Sequence, residues 1–170
     1  MIKSREINNI TIRHDIKPGD MGYLIYLHGL LYARENGYDI EFEGYVANTF
    51  YEFSQLYKKH SSRLWIAQDG NRIIGSIAVI GRSAQEAQLR WFLIDPDYRG
   101  LGLGKVLLRK AMDFCKISGY TKIYLLTVSE QKTAIKLYED IGFKKVEEKS
   151  SKMWGKDRIN ELKYELILNY

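Results

Sequence analysis

Three glycines at alternate positions, Gly100, Gly102 and Gly104, stand in Asp95-Pro96-Asp97-Tyr98-Arg99-Gly100-Leu101-Gly102-Leu103-Gly104-Lys105, between an apolar run that reads as a strand and a stretch with helical spacing. Pro96 cannot donate to a sheet ladder, so the strand stops before it. Glycine lets main-chain amides come close to a bulky anion. The first N–H groups of the following helix lack internal partners and carry the positive end of its dipole, which makes phosphate the natural occupant. Arg99 and Lys105 point the same way, because cations at a helix N-terminus oppose its dipole unless an anion lies there. Spacing excludes two common phosphate loops. A dinucleotide fingerprint starting at Gly100 needs glycine where Lys105 stands, and one starting at Gly102 needs it where Leu107 stands. A Walker A loop fails at Val106 and at Arg99. The simpler alternative is three glycines serving only a tight turn.

Around this segment the periodicity assigns the remaining elements. Residues 7–13 alternate as a strand, and Lys17-Pro18-Gly19-Asp20 turns and caps a helix that runs to about Glu35 and ends at Asn36-Gly37. A second helix covers roughly residues 42–59, with Tyr45, Val46, Thr49, Phe50, Phe53, Leu56 and Tyr57 on its apolar side. Strands follow at 63–68, 73–80 and 87–94, the first two joined by Asp69-Gly70-Asn71. The glycine loop opens an amphipathic helix bearing Leu103, Val106, Leu107, Ala111, Phe114 and Cys115, closed by Gly119. A strand at 122–128, a helix at 132–141 and two strands at 143–148 and 162–168 complete the chain. The order βαα, three strands, αβαββ predicts one α/β domain over residues 1–170, with a mostly antiparallel sheet of about seven strands, one central parallel pair and about four helices.

Composition excludes several classes. The 170 residues carry a formal charge of +5 with 45% hydrophobic residues, ordinary for a globular chain. One cysteine cannot form an internal disulfide, and no apolar run reaches the roughly 18 residues of a membrane span, so a cytoplasmic protein without a membrane partner is expected. His14, His28 and His60 share no ligand spacing, so no metal is expected. The positive charge suits anionic partners, but no nucleic-acid module is present.

Arg99-Gly100-Leu101-Gly102-Leu103-Gly104 after a strand and Asp-Pro resembles the pyrophosphate signature of GNAT N-acetyltransferases. The run Ala134-Ile135-Lys136-Leu137-Tyr138-Glu139-Asp140-Ile141-Gly142-Phe143 resembles that family's second hallmark. The stretch from His28 to Asp39 and Trp154-Gly155-Lys156-Asp157 are similar to the acetyltransferase half of bacterial proteins that fuse a MarR-type regulator to a GNAT domain. The resemblance implies acetyl-CoA as donor and an amine as acceptor. It implies that Phe92, Leu93 and Ile94 hold the pantetheine arm where their strand diverges from 122–128, and that the amides of Arg99, Gly100, Leu101, Gly102, Leu103, Gly104 and Lys105 hold the pyrophosphate. The resemblance implies Thr127 and Gln131 as further cofactor contacts, Gln131 standing where many members have Asn. The Leu93 N–H is the candidate oxyanion donor, its side chain belonging to the core.

Tyr138 falls on an apolar stripe and carries a hydroxyl that needs a partner, which suits a general acid beside the departing thiolate and a further cofactor contact. The alternative is a packing tyrosine. His28, Tyr32 and Glu35 lie within about 60° on one helix face. They form either a buried polar network or the wall of an acceptor pocket, with His28 or Glu35 as base; Glu86 and Glu41 are further candidates. Two functions stand at this point, an N-acetyltransferase and a non-catalytic acyl-CoA sensor of the same fold. The last strand is expected to be free to pair in a homodimer.

Overall fold

The structure, a computed structural model, describes residues 9–169. Along them run β1 (Ile10–Arg13), α1 (Asp20–Asn36), α2 (Ile40–Leu56), β2 (Arg63–Asp69), β3 (Arg72–Gly81), β4 (Glu86–Ile94), α3 (Leu103–Ile117), β5 (Lys122–Val128), α4 (Lys132–Asp140), β6 (Lys144–Met153) and β7 (Lys156–Ile167). A short 3-10 turn, Pro96–Tyr98, joins β4 to α3. The strands form one sheet in the order β1-β2-β3-β4-β5-β7-β6, antiparallel except for β4 beside β5. This is the mixed architecture read from the sequence, parallel pair included. Ile7 and Asn8, expected in the first strand, lie outside the described residues.

Two helical layers cover the sheet. Leu24 of α1 and Phe42, Val46, Phe50 and Phe53 of α2 pack on Leu64, Ile66, Ala78 and Ile80. Leu107, Ala111, Phe114 and Cys115 of α3 pack on Trp65, Ala67, Ile77 and Val79 from the other side. Leu64 and Ile66 thus face one layer while Trp65 and Ala67 face the other, the period of two that a strand imposes. Cys115 is fully buried and burial pushes its thiol up to about 12, so it is an inert packing group.

One extra residue in β4 shapes the site. The β3–β4 register shifts between Ser76 and Ala78, and Trp91 sits at the bulge with φ +48°. A left-handed conformation costs a non-glycine residue about 1–2 kcal/mol. Burial of a large apolar side chain returns about 1.5–3 kcal/mol: Trp91 stacks on Phe50 at 3.8 Å and its Nε1–H donates to Thr49 Oγ1 at 3.1 Å. The bulge also reverses the alternation. Ala87 and Leu89 face α3, Trp91 turns to α2, and Phe92 and Ile94 return to the α3 side. Pairing of β4 with β5 stops at Leu89 opposite Leu125, immediately before the bulge, so the two strands splay from there.

Several details differ from the sequence reading. The cap of α1 falls within the expected turn, at Gly19, while the Asp20 carboxylate accepts from Arg13 at 2.7 and 2.8 Å and from the Lys17 N–H at 2.7 Å. Burial opposes its ionisation, but those partners win and hold it below the usual carboxylate range. Leu56 of α2 is exposed, as is Val106 of α3. The last two strands are longer than expected and form a hairpin through Trp154-Gly155. The terminal strand is not free to pair, because β7 is inserted between β5 and β6. The edge is β6, whose Lys144, Lys145, Glu147, Glu148 and Lys149 are exposed, a charged edge of the kind that resists pairing. Among the described residues no helix is long and apolar enough to cross a membrane.

Candidate active site

The glycine loop places bare main-chain donors beside the splay. Gly102, at φ +83°, precedes α3 without any side-chain cap, and the first turn of α3 holds no acidic residue. Gly104 serves a different need: a Cβ there would lie 3.3 Å from Leu137 Cδ1 and 3.4 Å from Phe92 Cζ, so its absence lets α3 approach β4 and α4. Leu103 is buried, which leaves only its main chain for a ligand, whereas Lys105 is exposed. Arg99 is held in place, its Nη2 2.8 Å from Glu35 Oε1 and its Nε–H donating to Ile94 O at 3.0 Å.

Two cavities meet at the splay. One, of about 500 Å³, lies between the C-terminal turns of α1, the second half of β4 and the start of α4, and Arg99, Leu93 and Lys132 line it. The other, of about 120 Å³, lies under α1 and α2 and is lined by His28, Tyr45, Arg90, Thr127, Tyr138 and Glu161, among others. Tyr32, Phe92, Gln131 and Ala134 border both. Gln131 Nε2 also reaches Asn36 Oδ1 at 3.5 Å.

Strand geometry sorts the backbone donors. The Asp95 N–H donates to Ile74 O at 2.8 Å, toward β3. Alternation then turns the N–H of Leu93, opposite Ser76, toward β3 as well, and those of Phe92 and Ile94 toward the open side of β4. The Leu93 side chain packs with Leu27 and Leu31. The Leu93 N–H, the expected oxyanion donor, therefore faces β3, and the N–H groups on the open side are those of Phe92 and Ile94; the bulge, invisible in the apolar run Trp91-Phe92-Leu93-Ile94, sets that phase.

The trio on α1 is divided. His28 and Tyr32 line the smaller cavity with their rings stacked at 6.3 Å, whereas Glu35 reaches into the larger one to meet Arg99. A shared helix face did not bring them to one site, because residues 28 and 35 stand about 10 Å apart along the axis. His28 is buried, its Nδ1–H donates to Leu24 O at 2.8 Å, and burial pushes its pKa down to about 4. It is a neutral imidazole and a weak base. Burial likewise raises Tyr32, to about 12. Glu86 is tied to Lys122 at 3.3 Å, and neither it nor Glu41 lines the smaller cavity.

Tyr138 is buried, yet its hydroxyl has no protein hydrogen-bond partner among the described residues and the residue lines the smaller cavity. Burial lifts its pKa above the ordinary tyrosine value, with Tyr32 adding to the effect. Among the described residues no His, Cys, Asp and Glu group could hold a metal ion. The sequence reading missed Arg90 and Glu161, which carry no local motif and meet only because β7 pairs with β5.

A splayed parallel pair beside an uncapped, glycine-led helix defines a cleft suited to a pyrophosphate-bearing thioester. The acetyltransferase (GNAT) family matches residues 30–143, more than half of the chain, and the chain belongs to that family. An acetyltransferase from Streptococcus agalactiae superposes with a TM-score of 0.76 at 25% identity, covering 94% of this chain and 99% of that one. A GNAT acetyltransferase from Elizabethkingia anophelis with acetyl-CoA bound gives 0.67 at 17% identity, covering 95% and 99%. Spermidine N-acetyltransferase from Vibrio cholerae, with CoA and spermine, gives 0.68 at 19%, covering 94% and 96%. In sequence, N-acetylaspartate synthetase from Xenopus tropicalis is 35% identical over 97 residues, 56% of this chain and 36% of that protein. The chain thus spans about a third of that relative's length.

Proposed function

We propose that the chain is an N-acetyltransferase that moves the acetyl group of acetyl-CoA to an amine of a small molecule or peptide by direct attack. The observation that carries this reading is the splay of β4 from β5 after Leu89, which opens a passage between the two cavities next to Tyr138. The residues fit the donor: the uncapped amides of α3 suit a diphosphate, and Phe92 and Ile94 offer main-chain groups to the pantetheine arm. Acetyl-CoA supplies an activated acyl group as a thioester.

The amine loses its proton to water or a nearby carboxylate, and its lone pair adds to the thioester carbonyl carbon. The Phe92 N–H receives the developing oxyanion, a fixed donor that needs no reorganisation. The C–S bond then breaks and the sulfur leaves with the electron pair. Tyr138 keeps its proton at neutral pH because burial raises its pKa, and it donates that proton to a thiolate desolvated in the same passage, while the proton that the attacking nitrogen sheds on becoming an amide passes through water and restores the Tyr138 hydroxyl. The two stretches that resemble the acetyltransferase half of MarR fusions pack together, Asp39 N–H donating to Trp154 O at 3.1 Å.

The test is thiol release from acetyl-CoA with a panel of amines, followed by mass detection of the products. Tyr138→Phe should lower kcat by about 10²–10⁴-fold while acetyl-CoA affinity changes little. Full turnover in that variant removes the assignment, and coenzyme A binding without transfer to any amine supports the sensor instead.

A further inference from the structure

The smaller cavity holds one unpaired charge of each sign. Arg90 follows Leu89, the last residue of β4 paired with β5, and Glu161 on β7 stands opposite Val128. Both fall on the sheet face covered by α1 and α2: Arg90 alternates with Leu89, which faces α3, and Glu161 is two residues from Ile159, which packs in the α1/α2 layer. Among the described residues neither makes an ion pair. Arg90 donates from Nη2 to Tyr45 Oη at 2.9 Å and lies 5.8 Å from the ring centroids of Tyr45 and Trp91. That single bond uses one of five guanidinium donors and fixes the plane of the fork, leaving the others for a bidentate partner. Among the described residues the Glu161 carboxylate accepts no hydrogen bond.

We infer that the acceptor is a small amino carboxylate, bound as a zwitterion with its carboxylate on Arg90 and its ammonium at Glu161. This rests on the acetyltransferase reading and names the substrate class of the same site. Arg90 and Glu161 are the ionised groups lining the cavity, and they sum to zero. A polyamine would bring several cations beside Arg90 with one carboxylate to receive them, and a simple amine would leave the guanidinium half-buried without an anion. A zwitterion satisfies both. His28 does not disturb the balance, since burial keeps it neutral. Size agrees: about 120 Å³, roughly four waters at about 30 Å³ each, suits a compact amino acid. The aromatic surfaces of Phe42 and Trp154 on the same cavity offer contact to an apolar side chain.

The experiment compares amino acids with their descarboxy amines, their methyl esters and polyamines, on the purified chain with saturating acetyl-CoA, reading kcat/KM by thiol release. Calorimetric binding of coenzyme A is measured on the same preparation. The expected result is that free amino carboxylates exceed the matching descarboxy amines and esters by on the order of 10–100-fold, the range for hydrogen bonds to a charged group. Arg90→Gln should collapse that ratio to within a few-fold, and Glu161→Gln should raise KM for the amino acid at unchanged coenzyme A affinity. Esters, descarboxy amines or polyamines preferred by the native chain overturn the inference while leaving the acetyltransferase reading in place. Absence of coenzyme A binding overturns both. The comparison on the native chain stands even if a variant does not fold.

Discussion

His28 shows how a single side chain can be placed by sequence while its chemistry, a buried network or a base, stays open until its surroundings are known. Its helix face directs it toward the cavity, but burial among apolar groups keeps it neutral, with the Arg90 charge adding to the effect and the hydrogen bond to the Leu24 carbonyl opposing it. Its pKa falls on folding, from 6.5 to about 4. Between those values the unfolded chain binds the extra proton, so stability rises with pH through this window and is lost as pH falls from about 6.5 toward 4. The full linkage is on the order of 3 kcal/mol. Denaturant midpoints measured from pH 7 to pH 4 should fall less steeply in His28→Gln than in the native chain; parallel curves contradict the buried neutral imidazole. Tyr138 was legible because an apolar stripe with one hydroxyl is a local pattern. Arg90 and Glu161 were not, since their meeting depends on the phase of two strands remote in sequence.

Among elements, those with strong periodicity and Gly or Pro punctuation were legible: α3 between Gly102 and Gly119, α1 ending at Gly37, and the β2–β3 hairpin at Gly70. The bulge at Trp91 was not, because four successive apolar residues fit either phase of a strand. The length of β6 was hidden for the opposite reason: an edge strand largely exposed to solvent shows no alternation. The glycines separate conformation from packing. Gly102→Ala forces alanine into φ +83°, costing about 1–2 kcal/mol, and shifts the amides proposed to receive the diphosphate, so coenzyme A affinity should fall at least about tenfold. Gly44→Ala on the exposed side of α2, where an added Cβ meets nothing within 4 Å, should stabilise by about 0.5–1 kcal/mol with no change in affinity. Thermal unfolding and calorimetry on the pair check both outcomes. Equal affinity in the two variants contradicts the loop's role.

For the whole molecule, topology brings the two cavities together. The α3 crossover puts β5 parallel to β4, the bulge parts them, and β7 entering beside β5 carries Glu161 to the smaller cavity. The two cavities thus meet at Tyr32, Phe92, Gln131 and Ala134. That the order of elements could be read from sequence while the splay could not reflects their physical origins: order follows chain-local patterns, and the splay follows one extra residue in the ladder. The most direct measurement is a calorimetric titration of the purified chain with acetyl-CoA. The account predicts one site per chain with Kd on the order of 1–100 μM, weakened in Gly102→Ala; no heat of binding at millimolar acetyl-CoA would contradict it.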